Sequence, residues 1–217
     1  MNNLNSSNRT AKTLGLVQLS LFGAIIVIMA FTPFIGYIPL GFTRATIIHI
    51  PVIIGSLMMG PKNGAILGGI FGLTSLINNT INPTATSFVF SPFISIGDMH
   101  GGLESLIICF IPRILVGIIP YYVYKIIAGK KETGKRNTAA LTIAGVLGSL
   151  TNTILVMNFI YFFFKDAYAA ANDVASETVY TFILGIIAMN GIPEAIVAGV
   201  LVLGIGKVLM KTKFRIK

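Results

Sequence analysis

The sequence predicts an all-α integral membrane protein: one domain, residues 1–217, of six transmembrane helices with both termini inside. Composition is the first observation behind this. Hydrophobic residues make up 54% and charged residues 11%, with a mean hydropathy of +0.85, whereas a soluble domain carries about 25% charged residues. The second is a series of apolar runs at 14–34, 46–59, 64–77, 103–127, 138–164 and 179–210. The third is charge. Thirteen of the sixteen Lys and Arg residues fall on one side of this plan: Arg9, Lys12, Lys62, Lys125, Lys130, Lys131, Lys135, Arg136, Lys207, Lys211, Lys213, Arg215 and Lys217. The other side holds Arg44 and Lys165, and Arg113 is left inside a run. Basic residues that flank spans stay cytoplasmic, which places both termini inside and makes the number of spans even.

Taken in order, residues 1–13 are polar and form a short cytoplasmic tail. The run 14–34 exceeds signal-peptide length and has no small-residue cleavage site, so it reads as a retained span. Runs 46–59 and 64–77 are short against the roughly 20 residues a crossing helix needs. The first of them can draw on the semi-apolar loop 34–43 before it. The turn Gly60-Pro61-Lys62-Asn63 separates the two. Spans 103–127 and 138–164 flank the basic inner loop 129–137, and the acidic stretch 164–178 leads to span 179–210. Asp98, Asp166, Asp173 and Glu177 fall on the outer side. The outer connection 78–102 is long, polar-aromatic and free of Lys and Arg. Long irregular loops in compact proteins are often functional, so the chemistry is expected on the outer face.

Four glycines, Gly60, Gly64, Gly68 and Gly72, recur at every fourth position, and Ala140, Ala144 and Gly148 repeat the pattern. Such stripes allow close backbone approach, within the chain or to another membrane subunit. The shorter stripe Ser20 and Ala24, in the first span, is the one expected to dock a partner. Arg113 and Glu194 are the deep ionisable residues, at a cost of about 2.5–3.5 kcal/mol each on insertion scales. Two readings stay open: a structural ion pair joining spans 4 and 6, or a polar cavity in which Arg113 meets an anionic ligand. Each follows a proline, which removes an N–H and frees backbone groups in the preceding turn. Asn190, one turn before Glu194, shares that region, and Asn152 and Asn158 are further buried-amide candidates. His49 is a packing or hydrogen-bonding residue on one reading and a proton carrier on the other. Within 78–91, the residues Asn78, Asn79, Thr80, Asn82, Ser87, Phe88 and Ser91 combine amides, hydroxyls and an aromatic ring suited to a small polar solute.

Several classes are excluded. The net charge of +9 sits at span ends, where sidedness and anionic lipid account for it without nucleic acid. The lone Cys109 forms no disulfide framework within the chain, and two distant histidines with one cysteine do not make a metal site. No P-loop, H-E-x-x-H or G-x-S-x-G motif occurs, so the chain is not read as an enzyme and powered transport needs energy from elsewhere.

Residues 19–41 (LSLFGAIIVIMAFTPFIGYIPLG), 45–80 (ATIIHIPVIIGSLMMGPKNGAILGGIFGLTSLINNT), 83–92 (PTATSFVFSP) and 110–116 (FIPRILV) resemble the substrate-binding S components of energy-coupling factor (ECF) vitamin transporters. Within that family they look most like the pantothenate members. The resemblance implies the six-helix ECF S-component fold in a prokaryotic plasma membrane, capturing a vitamin from outside. It implies a transmembrane coupling subunit, EcfT, and two cytoplasmic ATPases that hydrolyse ATP, with no cofactor in this chain. It further implies that the outer loop between spans 1 and 2, here 36–42 with Tyr37, closes the site. Spans 4–6 and the 78–91 connection line it, which brings in Arg113, Asn152, Asn158, Asn190 and Glu194. Family members often carry A-x-x-x-A in span 1; Ser20-x-x-x-Ala24 stands there instead, still a small-to-small step. Pantothenate offers a carboxylate to Arg113. Hydroxymethylpyrimidine or pyridoxine is the alternative if Glu194 neutralises Arg113, with Tyr37, Phe88 or Phe90 stacking on the ring. A standalone proton-coupled secondary transporter using Glu194 and His49 is the competing class.

Overall fold

The computed structural model describes residues 2–32, 35–40, 43–129 and 134–209, with backbone only for 2–11, 37–40 and 43–45. The chain runs through α1 (Asn2–Phe31), a hairpin of β1 (Tyr37–Leu40) and β2 (Thr43–Thr46), α2 (His49–Met59) and α3 (Pro61–Ile81). A 3₁₀ turn (Ser87–Val89) and a small hairpin of β3 (Ser95–Ile96) and β4 (Met99–His100) follow. The remainder is α4 (Leu103–Val116), α5 (Ile119–Ala128), α6 (Lys135–Ala171), α7 (Val179–Ile186), a π turn (Ile187–Gly191) and α8 (Ile192–Leu209). Lys130, Lys131, Lys211, Lys213, Arg215 and Lys217 lie outside the described residues.

Among the described residues five segments are long and apolar enough to cross a membrane: Lys12–Phe31, Pro61–Ile81, Leu103–Ala128, Lys135–Ala171 and Val179–Leu209. The expected second span is different. Helix α2 has eleven residues, all buried, and rises only about 16 Å against a hydrocarbon core of about 30 Å. The residues before it form strand rather than helix. In the antiparallel hairpin Tyr37 pairs with Thr46 and Leu40 with Thr43. The β-branched and proline-containing stretch YIPL…TRAT favours that conformation over a helix.

The other helices depart from their apolar runs for local reasons. Helix α3 covers 21 residues because Pro61 starts it at its first turn and polar residues carry it beyond Ile77. Thr74, Asn79 and Thr80 donate to the carbonyls of Phe71, Ser75 and Leu76, so polar side chains continue the helix without exposing their donors. The fourth span is broken between α4 and α5, where Pro120 removes a backbone donor; Ser56 Oγ donates to the Gly117 carbonyl at 2.5 Å. The fifth kinks at Phe164 and runs on to Ala171. In the sixth, Pro193 follows the π turn.

Glycines set the tightest contact. A Cβ on Gly64 would strike the Gly117 carbonyl, one on Gly68 the Arg113 carbonyl, and one on Gly72 Phe110 and the Cys109 carbonyl. The stripe therefore seats α3 on the backbone of α4, the packing reading of that pattern. Ala140, Ala144 and Gly148 likewise face inward on α6, Gly148 against Ile53 and Pro120.

The buried apolar residues form two clusters. One gathers α2 with Ile26, Leu67, Phe71, Val116, Tyr124, Leu141 and Val202. The other gathers Phe88, Val89, Ile108, Val156, Ile160, Tyr168 and Ile183. The α4–α5, α6 and α7–α8 segments pass from one cluster to the other at their buried polar residues, so a polar layer lies between the two.

This packing makes a direct prediction. Gly68→Val should lower the thermal unfolding midpoint in detergent by several degrees, since overpacking costs about 1–3 kcal/mol. Gly69→Val, which meets open space, should leave it nearly unchanged. Equal midpoints would show that the backbone contact at Gly68 is dispensable.

Candidate functional site

Several of the sequence-predicted residues lie in the polar layer. It holds His49 on α2, Thr74, Ser75 and Asn78 on α3, Arg113 on α4, Ser149, Asn152 and Thr153 on α6, Asn190 in the π turn and Glu194 on α8, all buried.

Arg113 owes its setting to Pro112. Proline lacks the N–H that would bond the carbonyl four residues back, which is that of Ile108. Arg113 Nη1 donates to that carbonyl at 2.6 Å. The guanidinium lies 5.6 Å from the centroid of the Phe71 ring and 5.3 Å from that of Phe90. Its Nε is buried without a hydrogen-bond partner. Cys109, one turn earlier, donates its thiol to the Gly72 carbonyl at 3.2 Å.

Among the described residues no ion pair joins Arg113 to Glu194, so that reading is set aside. The carboxylate is engaged elsewhere. Glu194 Oε1 accepts the Thr46 backbone N–H at 2.5 Å, and Oε2 accepts from Thr153 Oγ1 at 3.1 Å. Arg113 remains within electrostatic reach of Glu194 but keeps its own charge uncompensated by contact.

Other polar atoms of the layer also lack partners: both ring nitrogens of His49, Ser149 Oγ and Asn152 Oδ1. The Thr46 backbone lies near the imidazole without hydrogen-bond geometry. Unpartnered buried polar atoms are costly, about 1–3 kcal/mol each. Several in one layer, together with a cation flanked by two aromatic rings, suit an amphiphilic anion with hydroxyl or amide groups.

Residues 78–91 use most of their polar groups on one another. Asn82 Nδ2 donates to Asn78 Oδ1 at 3.0 Å, Ser87 Oγ to Asn79 Oδ1 at 3.0 Å, and the Thr80 and Ser91 hydroxyls are 2.7 Å apart. Ser105 Oγ donates to the Phe88 carbonyl at 2.7 Å, and Phe88 meets Phe164 edge-on. The connection is a knit scaffold that carries Phe90 to Arg113. Asn158, expected as a buried amide, is half-buried and donates to the Ile154 carbonyl of its own helix at 2.8 Å. It lies six positions from Asn152, on another face of α6. The Tyr37 side chain and residues 41–42 lie outside the described residues. Ser20 and Ala24 are exposed on α1, among the exposed apolar Val17, Leu21 and Ile28.

Sequence reasoning missed Ser149, Thr153 and Phe71. Ser149, Asn152 and Thr153 follow i, i+3, i+4 spacing, a polar face within an apolar run that marks them as a set. Phe71 looks like any apolar residue of a span, and the Thr46 N–H carries no side-chain signal at all.

The family model described as "ECF transporter, substrate-specific component" matches residues 15–206. The chain is 38% identical over 208 residues to the pantothenic acid transporter PanT of Lactococcus lactis subsp. cremoris, covering 94% of this chain and 98% of that one. It is 32% identical over 203 residues to the pantothenate transporter PanT of Leuconostoc mesenteroides subsp. mesenteroides, covering 92% and 93%.

Proposed function

Because the chain belongs to the substrate-specific components of ECF transporters, we propose that it captures pantothenate from outside and delivers it across the membrane with a coupling subunit and two ATPases. The family is one of transporters rather than enzymes, and places this multi-pass protein in the cell membrane. The observation that carries the substrate is Arg113: a buried guanidinium with an unpartnered Nε and no carboxylate in contact. A carboxylate ligand supplies the missing charge and charge-assisted hydrogen bonds. The names of both relatives point to the same acid.

In this reading Phe71 and Phe90 hold the guanidinium plane, and His49, Ser149 and Asn152 meet the hydroxyls and amide of the vitamin. The scaffold of Asn78, Asn79, Thr80, Asn82, Ser87, Phe88 and Ser91 walls the site. Asn190 belongs to its α8 side, and the hairpin with Tyr37 covers it. Hydroxymethylpyrimidine and pyridoxine bring no carboxylate for Arg113, and Glu194 does not neutralise it by contact. The topology is six helices, α2 with its hairpin being the second, and both termini cytoplasmic. Lys62, Lys125, Lys135, Arg136 and Lys207, at the ends of segments on the α2 cluster side, support that orientation.

Calorimetry on the purified chain in detergent without nucleotide tests the substrate. Pantothenate should bind tightly, and the pyrimidine and pyridoxine should not; binding of either alone would overturn the assignment. Arg113→Ala should weaken pantothenate binding about 100-fold or more while the unfolding midpoint stays close to wild type. An equal collapse of stability would make the arginine structural.

The exposed pair Ser20 and Ala24 supports α1 as the surface that meets the coupling subunit. Ser20→Leu or Ala24→Leu should leave vitamin binding intact and reduce recovery of the assembled complex on co-purification. Undiminished assembly from both variants would remove α1 as the docking face.

A further inference from the structure

Strand β2 belongs to a two-stranded hairpin, so every N–H on its outer side lacks a ladder partner. Burying such a donor is costly unless something accepts from it. At Thr46, the last residue of β2, the acceptor is the carboxylate of Glu194, 148 positions later in the chain. The same carboxylate accepts from Thr153 on α6, whose neighbour Asn152 has an unpartnered amide oxygen in the polar layer. Glu194 thus ties the hairpin to two helices at once. Strand β2 also packs against the π turn that precedes Pro193 and Glu194. The other hold on the hairpin base is local, the Ile47 N–H donating to the Gly36 carbonyl at 3.2 Å.

We propose that Glu194 is a positioning residue that latches the β1–β2 hairpin over the vitamin site, setting how long the ligand is retained rather than which ligand is recognised. This rests on the reading of the polar layer as the vitamin site. The coupling is short. His49, whose ring nitrogens lack partners in the layer, lies three residues after Thr46. Movement of the hairpin base is therefore movement of one wall of the site. Glu194 acts through the backbone, so the latch needs an acceptor oxygen, not a negative charge. That separates it from a charge partner of Arg113 and from a direct ligand to the vitamin.

The full chain in detergent tests this with Glu194→Gln, Glu194→Ala and Thr153→Val. Two quantities are measured: hydrogen–deuterium exchange of peptides covering 43–48 without ligand, and the dissociation rate of labelled pantothenate. Glu194→Ala should raise both about tenfold and leave exchange in α3 and α4 unchanged. Glu194→Gln keeps an oxygen for the Thr46 N–H and should stay within about threefold of wild type. Equal impairment by Gln and Ala overturns the latch in favour of a charge role. Unaltered exchange at 43–48 in Glu194→Ala overturns it in favour of a ligand contact. If Glu194→Ala does not fold, Thr153→Val decides: it removes one of the two holds on the carboxylate and should raise both quantities about threefold. No change in either overturns the proposal. A wild-type chain that binds no pantothenate overturns the substrate reading, while the ligand-free exchange still decides the latch.

Discussion

A buried cation without an ionic partner is the constraint on which this protein is organised. Placing a guanidinium inside a membrane helix costs about 2.5–3.5 kcal/mol on insertion scales, and a structural role would normally bring an acid to it. Here the one nearby deep acid is held by other donors, the Thr46 N–H and the Thr153 hydroxyl. Among the described residues Arg113 meets the carbonyl of Ile108 and the faces of Phe71 and Phe90. The elements around it serve that arrangement. Glycines bring α3 onto α4 so closely that the Arg113 carbonyl nearly touches Gly68. The knit connection after α3 delivers Phe90.

Prolines do the complementary work on the backbone. Pro112 frees the carbonyl that Arg113 takes, Pro120 separates α4 from α5, and Pro193 follows a π turn and precedes Glu194. In each case a missing N–H creates a polar feature inside an apolar helix, and a side chain or an altered helical turn accommodates it. The Gly117 carbonyl next to the α4–α5 break finds Ser56. Pro112 and the π turn before Pro193 fall where the helices pass from one apolar cluster to the other, and the polar layer lies there.

Much of this was legible in the sequence, for identifiable reasons. Hydropathy and the sidedness of Lys and Arg mark the membrane class, because lipid tolerates so few charges that their positions carry topology. The two prolines beside Arg113 and Glu194 single out the deep charges, both of which are buried. Partner choice was not legible: opposite signs at mid-span left an ion pair and a ligand site both open, and Glu194 takes a backbone N–H that no side-chain pattern reveals. The form of the second span was not legible because hydropathy measures apolarity and not conformation; a hairpin followed by a buried eleven-residue helix reads like a span. Asn158 failed on geometry, six positions from Asn152 being another helix face. The polar stretch 78–91 stands out in the sequence as a set of solute-binding groups, whereas in the structure its side chains mostly satisfy one another.

The most direct test of the central claim compares pantothenate with its alcohol analogue, in which CH₂OH replaces the carboxylate, by calorimetry on the wild-type chain. If the carboxylate completes Arg113, the analogue should bind about 100-fold more weakly or worse, with the amide and hydroxyls unchanged. Equal affinity for the two would contradict the account, since the buried guanidinium would then be holding nothing that the vitamin alone provides.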